Sequence, residues 1–130
     1  MKGNALAVTK TDDNTWSISS AKSLAKITYL VNDTFDTEKG GSFGTDIFSP
    51  AGTNIEAGKN FMINTHGFVG YFQDQKDLPY QVTITHPETL WGATSMIDTD
   101  ASATKDVFNT PRYAELVENP IMYAKPDYTT

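Results

Sequence analysis

Apolar and polar residues alternate with a period of two over several stretches of this chain, and strands are what that spacing predicts. In Ser23 to Val31, Ala25, Ile27, Tyr29 and Val31 fall on one face, while Lys26 and Thr28 fall on the other between Leu24 and Leu30. Trp16 and Ile18 alternate with Thr15, Ser17 and Ser19. Asp12-Asp13-Asn14 just before them is a turn sequence, and Ala5 to Lys10 supplies a strand on its other side, so residues 5–19 are expected to form a hairpin. Pro79 to Thr85 alternates again, with Tyr80, Val82 and Ile84 against Gln81, Thr83 and Thr85. Pro87, after His86, ends that strand because proline cannot extend a paired one. Thr89 to Ile97 is a further short strand candidate, centred on Trp91.

The intervening segments differ in character. Residues 33–60 hold Gly40, Gly41, Gly44, Gly52 and Gly58, Pro50 and many Asn, Asp, Ser and Thr residues. They are expected to form a long loop region, with at most one short helical turn or strand around Asp46 to Phe48. A loop of that length either carries function or packs against something outside the chain. Phe61 to Phe72 returns to apolar spacing, with Phe61, Ile63, Phe68, Val69, Tyr71 and Phe72 expected in the core. Thr110-Pro111 places a capping hydroxyl before a first-turn proline, which predicts a helix over Tyr113 to Val117 that Asn119-Pro120 ends. The expected fold is therefore all-β: one antiparallel β-sandwich-like domain over residues 1–130, with long loops and one short C-terminal helix.

Composition narrows the function classes. The chain has 130 residues, 38% hydrophobic and 12% aromatic, and that length buries about two thirds of its unfolded surface in one core. It has no cysteine, which removes disulfides, thiolate zinc sites and cysteine nucleophiles together. Ten Lys and Arg against sixteen Asp and Glu give a net charge of −6, a balance that disfavours nucleic acid as a partner. No apolar run approaches the ~20 residues of a membrane span, and Met1-Lys2-Gly3-Asn4 does not open a signal peptide.

Candidate chemistry is sparse. His66 and His86 lie twenty residues apart, without H-E-x-x-H spacing or a carboxylate at ligand spacing in the sequence, so both are expected to be ordinary hydrogen-bonded or partly exposed histidines. Asp98, Asp100 and Ser102 match the first positions of a calcium loop. Ala103 then stands where the sharp turn wants glycine, and Asn109 where a bidentate glutamate belongs, so a solvated acidic loop is the expectation. The sequence leaves open whether Asp98, Asp100, His66 or His86 binds an ion. Gly40-Gly41-Ser42-Phe43-Gly44 lacks the lysine of a phosphate loop, and no serine sits in a G-x-S-x-G elbow. Trp16, Trp91, Tyr71, Phe72 and Tyr80 are expected in the core, with a sugar-stacking platform as the rival. No catalytic, cofactor-binding or metal-ligating residue is assigned.

One resemblance runs over nearly the whole chain. Asp106-Val107-Phe108 followed by Tyr113-Ala114-Glu115-Leu116-Val117-Glu118-Asn119-Pro120-Ile121 resembles the junction that closes the N-terminal domain of the PDZ-containing glycyl aminopeptidases, metallopeptidase family sixty-one. Leu6 to Lys10 with Asn14-Thr15-Trp16 resembles that family's hairpin, and Ile27-Thr28-Tyr29 the strand after it. Gly67 to Tyr71 and Pro79 to Ile84 resemble the next two strands, and Pro87, Leu90 and Trp91 the stretch before the acidic loop. Ala114 replaces a common aspartate, Glu118-Asn119-Pro120 stands for Asp-Ser-Pro, and the family's opening P-x-W-x-P-G-x-Y stretch has no counterpart.

The resemblance implies a truncated, non-catalytic N-terminal β domain that packs on, and helps wall, the catalytic domain of the same polypeptide. It implies no cofactor in this fragment and zinc in the parent's catalytic domain. It suggests a periplasmic or secreted setting, which the residues leave open. An exposed apolar patch and an unpaired sheet edge are expected where the opening strands are missing, with a homodimer across that edge as a consequence. The alternative is a stand-alone extracellular carbohydrate- or ligand-binding β-sandwich.

Overall fold

The computed structural model describes residues 4–33 and 52–126. Two compact units divide the chain, Met1–Leu30 and Val31–Thr130. The first holds the expected hairpin. β1 (Val8–Asp12) pairs antiparallel with β2 (Thr15–Ile18), in a register that sets Val8 opposite Ile18 and Lys10 opposite Trp16. An irregularity between Lys10 and Asp12 leads into the tight turn. The Lys10 ammonium sits 5.9 Å from the Trp16 ring centre, a cation–π contact at the surface. A short 3-10 turn, Ala21–Ser23, follows.

The alternating segment Ser23 to Val31 is not a strand. Residues 24–33 lie outside any ladder, and Ile27, Tyr29 and Leu30 are exposed. Alternation shows which side chains share a face, but a strand also needs a neighbour to bond its backbone, and no described strand lies beside this one.

In the second unit, β3 (Asn54–Glu56) and β4 (Asn60–Ile63) form a hairpin around Gly58, whose φ of 77° is the left-handed conformation that glycine adopts without strain. β8 (Ile121–Ala124) pairs with β4, and β6 (Trp91–Ala93) with β8, giving a four-stranded antiparallel sheet in the order β3-β4-β8-β6. β5 (Tyr80–Thr85) and β7 (Lys105–Thr110) form a second antiparallel sheet, with Tyr80 opposite Thr110 and Thr85 opposite Lys105. Ile63, Ile121 and Tyr123 from the first sheet meet Phe108 from the second around Leu90, with Phe61, Phe68, Ile84 and Met96 packed against them. Two inner faces sharing one apolar core give the all-β, antiparallel architecture that the alternation predicts.

Two short helices cross the described chain rather than the single expected one. α1 (Thr65–Phe68) occupies the stretch that resembled a strand over Gly67 to Tyr71. Asn64 caps it by accepting the His66 amide, at 3.3 Å, and the buried Thr65 hydroxyl donates to the Leu116 and Asn119 carbonyls. α2 (Tyr113–Val117) has the expected span, but its cap is Arg112, whose side chain makes no capping bond and pairs with Glu115 instead, because Thr110 still belongs to β7. Tyr113 and Leu116 bury the inner face of α2. The Tyr113 ring packs against Tyr71 and Tyr80, and its hydroxyl donates to the Val69 carbonyl at 2.6 Å.

Of the expected core, Ile63 is buried and Phe61, Phe68 and Val69 are partly so, whereas Tyr71 and Phe72 are exposed. Trp16 and Trp91 are exposed as well, so the aromatic core is Phe108, Tyr113 and Tyr123 instead. The Asp46 to Phe48 element and the Gly40 to Gly44 loop lie outside the described residues.

Candidate functional site: a buried histidine–aspartate–tyrosine cluster

Four strands converge on one polar cluster beside the core. His86 follows the last residue of β5, Asp106 is on β7, Tyr123 on β8 and Gly92 on β6. Tyr123 is fully buried and donates its hydroxyl to Asp106 Oδ2 at 2.5 Å. Burial first, and the Asp106 carboxylate second, push the Tyr123 phenol well above its ordinary range, so it stays protonated and acts as a donor. The His86 ring lies against the Tyr123 ring with centres 4.5 Å apart. His86 Nδ1 sits 3.0 Å from the Pro87 carbonyl, which can only accept, so this nitrogen carries a proton. Nε2 faces Asp106 Oδ2 at 3.4 Å and makes no hydrogen bond. Gly92 closes the cluster because a Cβ there would stand 2.9 Å from both Asp106 Oδ2 and Tyr123 Cε1.

The cluster joins the two sheets, because Asp106 belongs to one and its donor, Tyr123, to the other. Chemically it has an imidazole, a carboxylate and a phenol, but the side chains of His86 and Asp106 are only 6% and 14% exposed. No serine or threonine hydroxyl and no thiol is hydrogen-bonded to the His86 ring among the described residues. The geometry fits a polar cross-link rather than a reaction centre.

Next to it, the acidic loop has a structural task. Asp98 Oδ1 accepts the amides of Asp100 (2.9 Å) and Val107 (2.8 Å), and Asp100 Oδ1 accepts that of Ser102 at 2.9 Å. Lys105 Nζ bonds Asp100 Oδ2 at 2.7 Å. Thr99 bonds the Val107 carbonyl through both its amide and its hydroxyl. The loop thus covers the outer edge of β7 and supplies the bonds that a further strand would make there.

The Val107 amide first, then that of Asp100, hold the Asp98 carboxyl below its usual range. Lys105, followed by Ser102, draws Asp100 down to about 2. A carboxyl depressed in the fold contributes stability above its unfolded value, near 3.8, and loses it as pH falls through the folded one. The Asp100 turn is therefore expected to hold down to pH 3 and to loosen near pH 2, while Asp98 releases the Val107 amide only below the ordinary carboxylate range. An NMR titration should place the Asp100 midpoint near 2 and show faster exchange of the Ser102 and Val107 amides in acid. A midpoint at 3.8 would contradict the capping role.

A family model described as Peptidase M61 N-terminal domain matches residues 1–125. The chain belongs to that family. Comparisons with curated proteins and with solved structures found no match. In this M61 N-terminal domain, Leu6 to Trp16 lies in the β1–β2 hairpin, Pro79 to Ile84 leads through β5, and Tyr113 to Ile121 runs from α2 into β8. Ile27 to Tyr29 and Gly67 to Tyr71, which also carried the resemblance, form no strand.

The structure separates the two histidines of the M61 domain: His66 is exposed on α1, and His86 is buried in the cluster. Among the described residues no group of three or more His, Cys, Asp or Glu side chains is arranged to hold a metal ion. Asp98 Oδ1 and both oxygens of Asp100 are taken up by backbone amides and Lys105. Sequence reasoning missed Asp106, Tyr123 and Gly92 as partners of His86. A signal was present in β7, where inward-facing Asp106 and Thr110 flank Phe108 and a buried aspartate demands a donor.

Proposed function

We propose that this chain is the non-catalytic N-terminal β domain of a zinc-dependent, glycyl aminopeptidase-like M61 peptidase, packing on the catalytic domain and helping to wall its cleft. The observation that carries the packing is the outer face of the four-stranded sheet. Register aligns Asn54, Met62, Met122 and Ala93 in one row across it, and Glu56, Asn60, Ala124 and Trp91 in the next. Met62, Met122 and Trp91 are exposed. Two methionines and a tryptophan together on a sheet face suit an apolar, adaptable contact with another domain. Such a face costs nothing once covered. A sugar-stacking platform draws no support there, because the residue beside Trp91 is Ala124 rather than a second ring.

The test has two arms. The purified chain is expected to hold no stoichiometric zinc by elemental analysis and to release no glycine from glycyl amides; bound zinc with chelator-sensitive hydrolysis would refute the non-catalytic assignment. Trp91→Asp with Met122→Asp is expected to weaken binding to the separately produced catalytic domain by at least about a hundredfold, roughly the loss of two buried apolar anchors. Unchanged binding would remove the sheet face from the contact.

A further inference from the structure

The two edges of the β5–β7 sheet are treated differently, and the difference points to a partner. The His86 amide bonds the Thr104 carbonyl at 2.9 Å, just past the last ladder pair, Thr85 with Lys105. Hydrogen-bonded pairs alternate along an antiparallel ladder, so Ile84 with Asp106, Val82 with Phe108 and Tyr80 with Thr110 exchange the bonds. Val107 therefore turns its amide and carbonyl outward from β7, where Asp98 and Thr99 satisfy both. By the same alternation Gln81, Thr83 and Thr85 turn theirs outward from β5. Nothing among the described residues bonds them, and all three are exposed. The Gln81 side chain reaches back across the sheet to Asn109 at 3.0 Å, which leaves the edge unobstructed.

Natural edge strands are blunted by charges, prolines, bulges or a covering loop. β7 has such a loop, while β5 has no charge, proline or bulge over Tyr80–Thr85 and no covering loop among the described residues. Its sequence also matches itself. With a two-fold axis through Thr83, an antiparallel second copy sets Thr83 against Thr83, Gln81 against Thr85, and Val82 against Ile84. The outward backbone groups then pair with one another. Polar meets polar on the solvent face, apolar meets apolar on the core face, and no like charges oppose. We infer that the β5 edge is a self-association surface, on which two copies of this chain join their β5–β7 sheets into one four-stranded antiparallel sheet. The pairing is independent of whether the domain walls a peptidase cleft.

The contact is one strand long and each copy carries a net charge of −6, so the dimer is expected to be weak, with Kd on the order of 10⁻⁵ to 10⁻⁴ M, and to tighten as salt is raised. Sedimentation of the 130-residue chain over a concentration series reads the association, and amide hydrogen exchange reads its location. The expected result is dimerisation accompanied by concentration-dependent protection of the Gln81, Thr83 and Thr85 amides. Thr83→Pro deletes an outward donor without touching the β5–β7 ladder, and Thr83→Lys places like charges on the axis. Each should weaken the dimer at least about tenfold while the melting temperature of the monomer stays put. If the proline variant fails to fold, the lysine variant and the exchange data still decide. A chain that stays monomeric to about 1 mM would overturn the inference. So would a dimer whose β5 amides stay unprotected, or one that both substitutions leave intact; either would place the contact elsewhere, such as on the Met62–Met122–Trp91 face.

Discussion

Tyr123→Ala is expected to cost about 4 kcal/mol, a large fraction of the stability of a domain this size. The side chain has no exposed surface and sits in the core with Leu90, Phe108, Ile63 and Ile121, so its removal leaves a cavity that rigid strands on both sides cannot close. The hydroxyl adds a second loss, because Asp106 Oδ2 gives up its donor while still largely buried. Tyr123→Phe separates the two: it keeps the ring and deletes only the donor, and about 1–3 kcal/mol is expected. Urea denaturation of both variants checks the division. If Tyr123→Phe melts with the unaltered protein, the polar bond between the sheets contributes nothing, and the cluster is held by packing alone.

Gly92→Val should be nearly as damaging, at about 3 kcal/mol. Gly92 sits on β6 directly opposite Tyr123, and even a Cβ would come within 2.9 Å of the Tyr123 ring and of Asp106 Oδ2. The ring has no free space to retreat into, so the strand must shift and take the Tyr123–Asp106 bond with it. The two sites touch, and their effects should not add. In a Tyr123→Ala background the added side chain enters the space the ring has left, and the cost of Gly92→Val should fall to less than half. Equal costs in both backgrounds would show that Gly92 is required for some other reason.

The fold class was legible because alternation survives wherever a strand buries one clean face. Tyr80, Val82 and Ile84 mark β5 in this way, whereas β2 was legible from the turn sequence Asp12-Asp13-Asn14 beside it, its Trp16 being exposed. The late helix was legible from Pro111 and Asn119-Pro120, which bound Tyr113–Val117 whatever surrounds it. β7 was not, because its inward positions read Asp106, Phe108, Thr110, and a polar residue that is paired in space looks like an exposed one in sequence. β8 was hidden by brevity, being only four residues long just after a proline. The stretch around Ile27 erred the other way, with alternation that no described strand takes up.

The calcium-like spacing of Asp98, Asp100 and Ser102 was real as a pattern. Carboxylates at alternate positions suit a cation, and they equally suit successive backbone amides; the structure uses them for the second purpose. The family landmarks were recoverable because they are local strings in a fixed order, needing no knowledge of what lies across the sheet.

By itself the sequence determined local matters: the all-β class, the β1–β2 hairpin, the β5 alternation, the span of α2, the absence of thiol chemistry and membership of the M61 N-terminal family. Tertiary structure alone decided which elements meet. It set the order β3-β4-β8-β6, brought His86, Asp106, Tyr123 and Gly92 together, turned the acidic loop into a strand cap and left the β5 edge unpaired among the described residues. The reason is physical. Backbone conformation and turn chemistry act between residues a few positions apart, whereas burial, polar pairing and edge exposure depend on partners that the chain supplies from dozens of residues away.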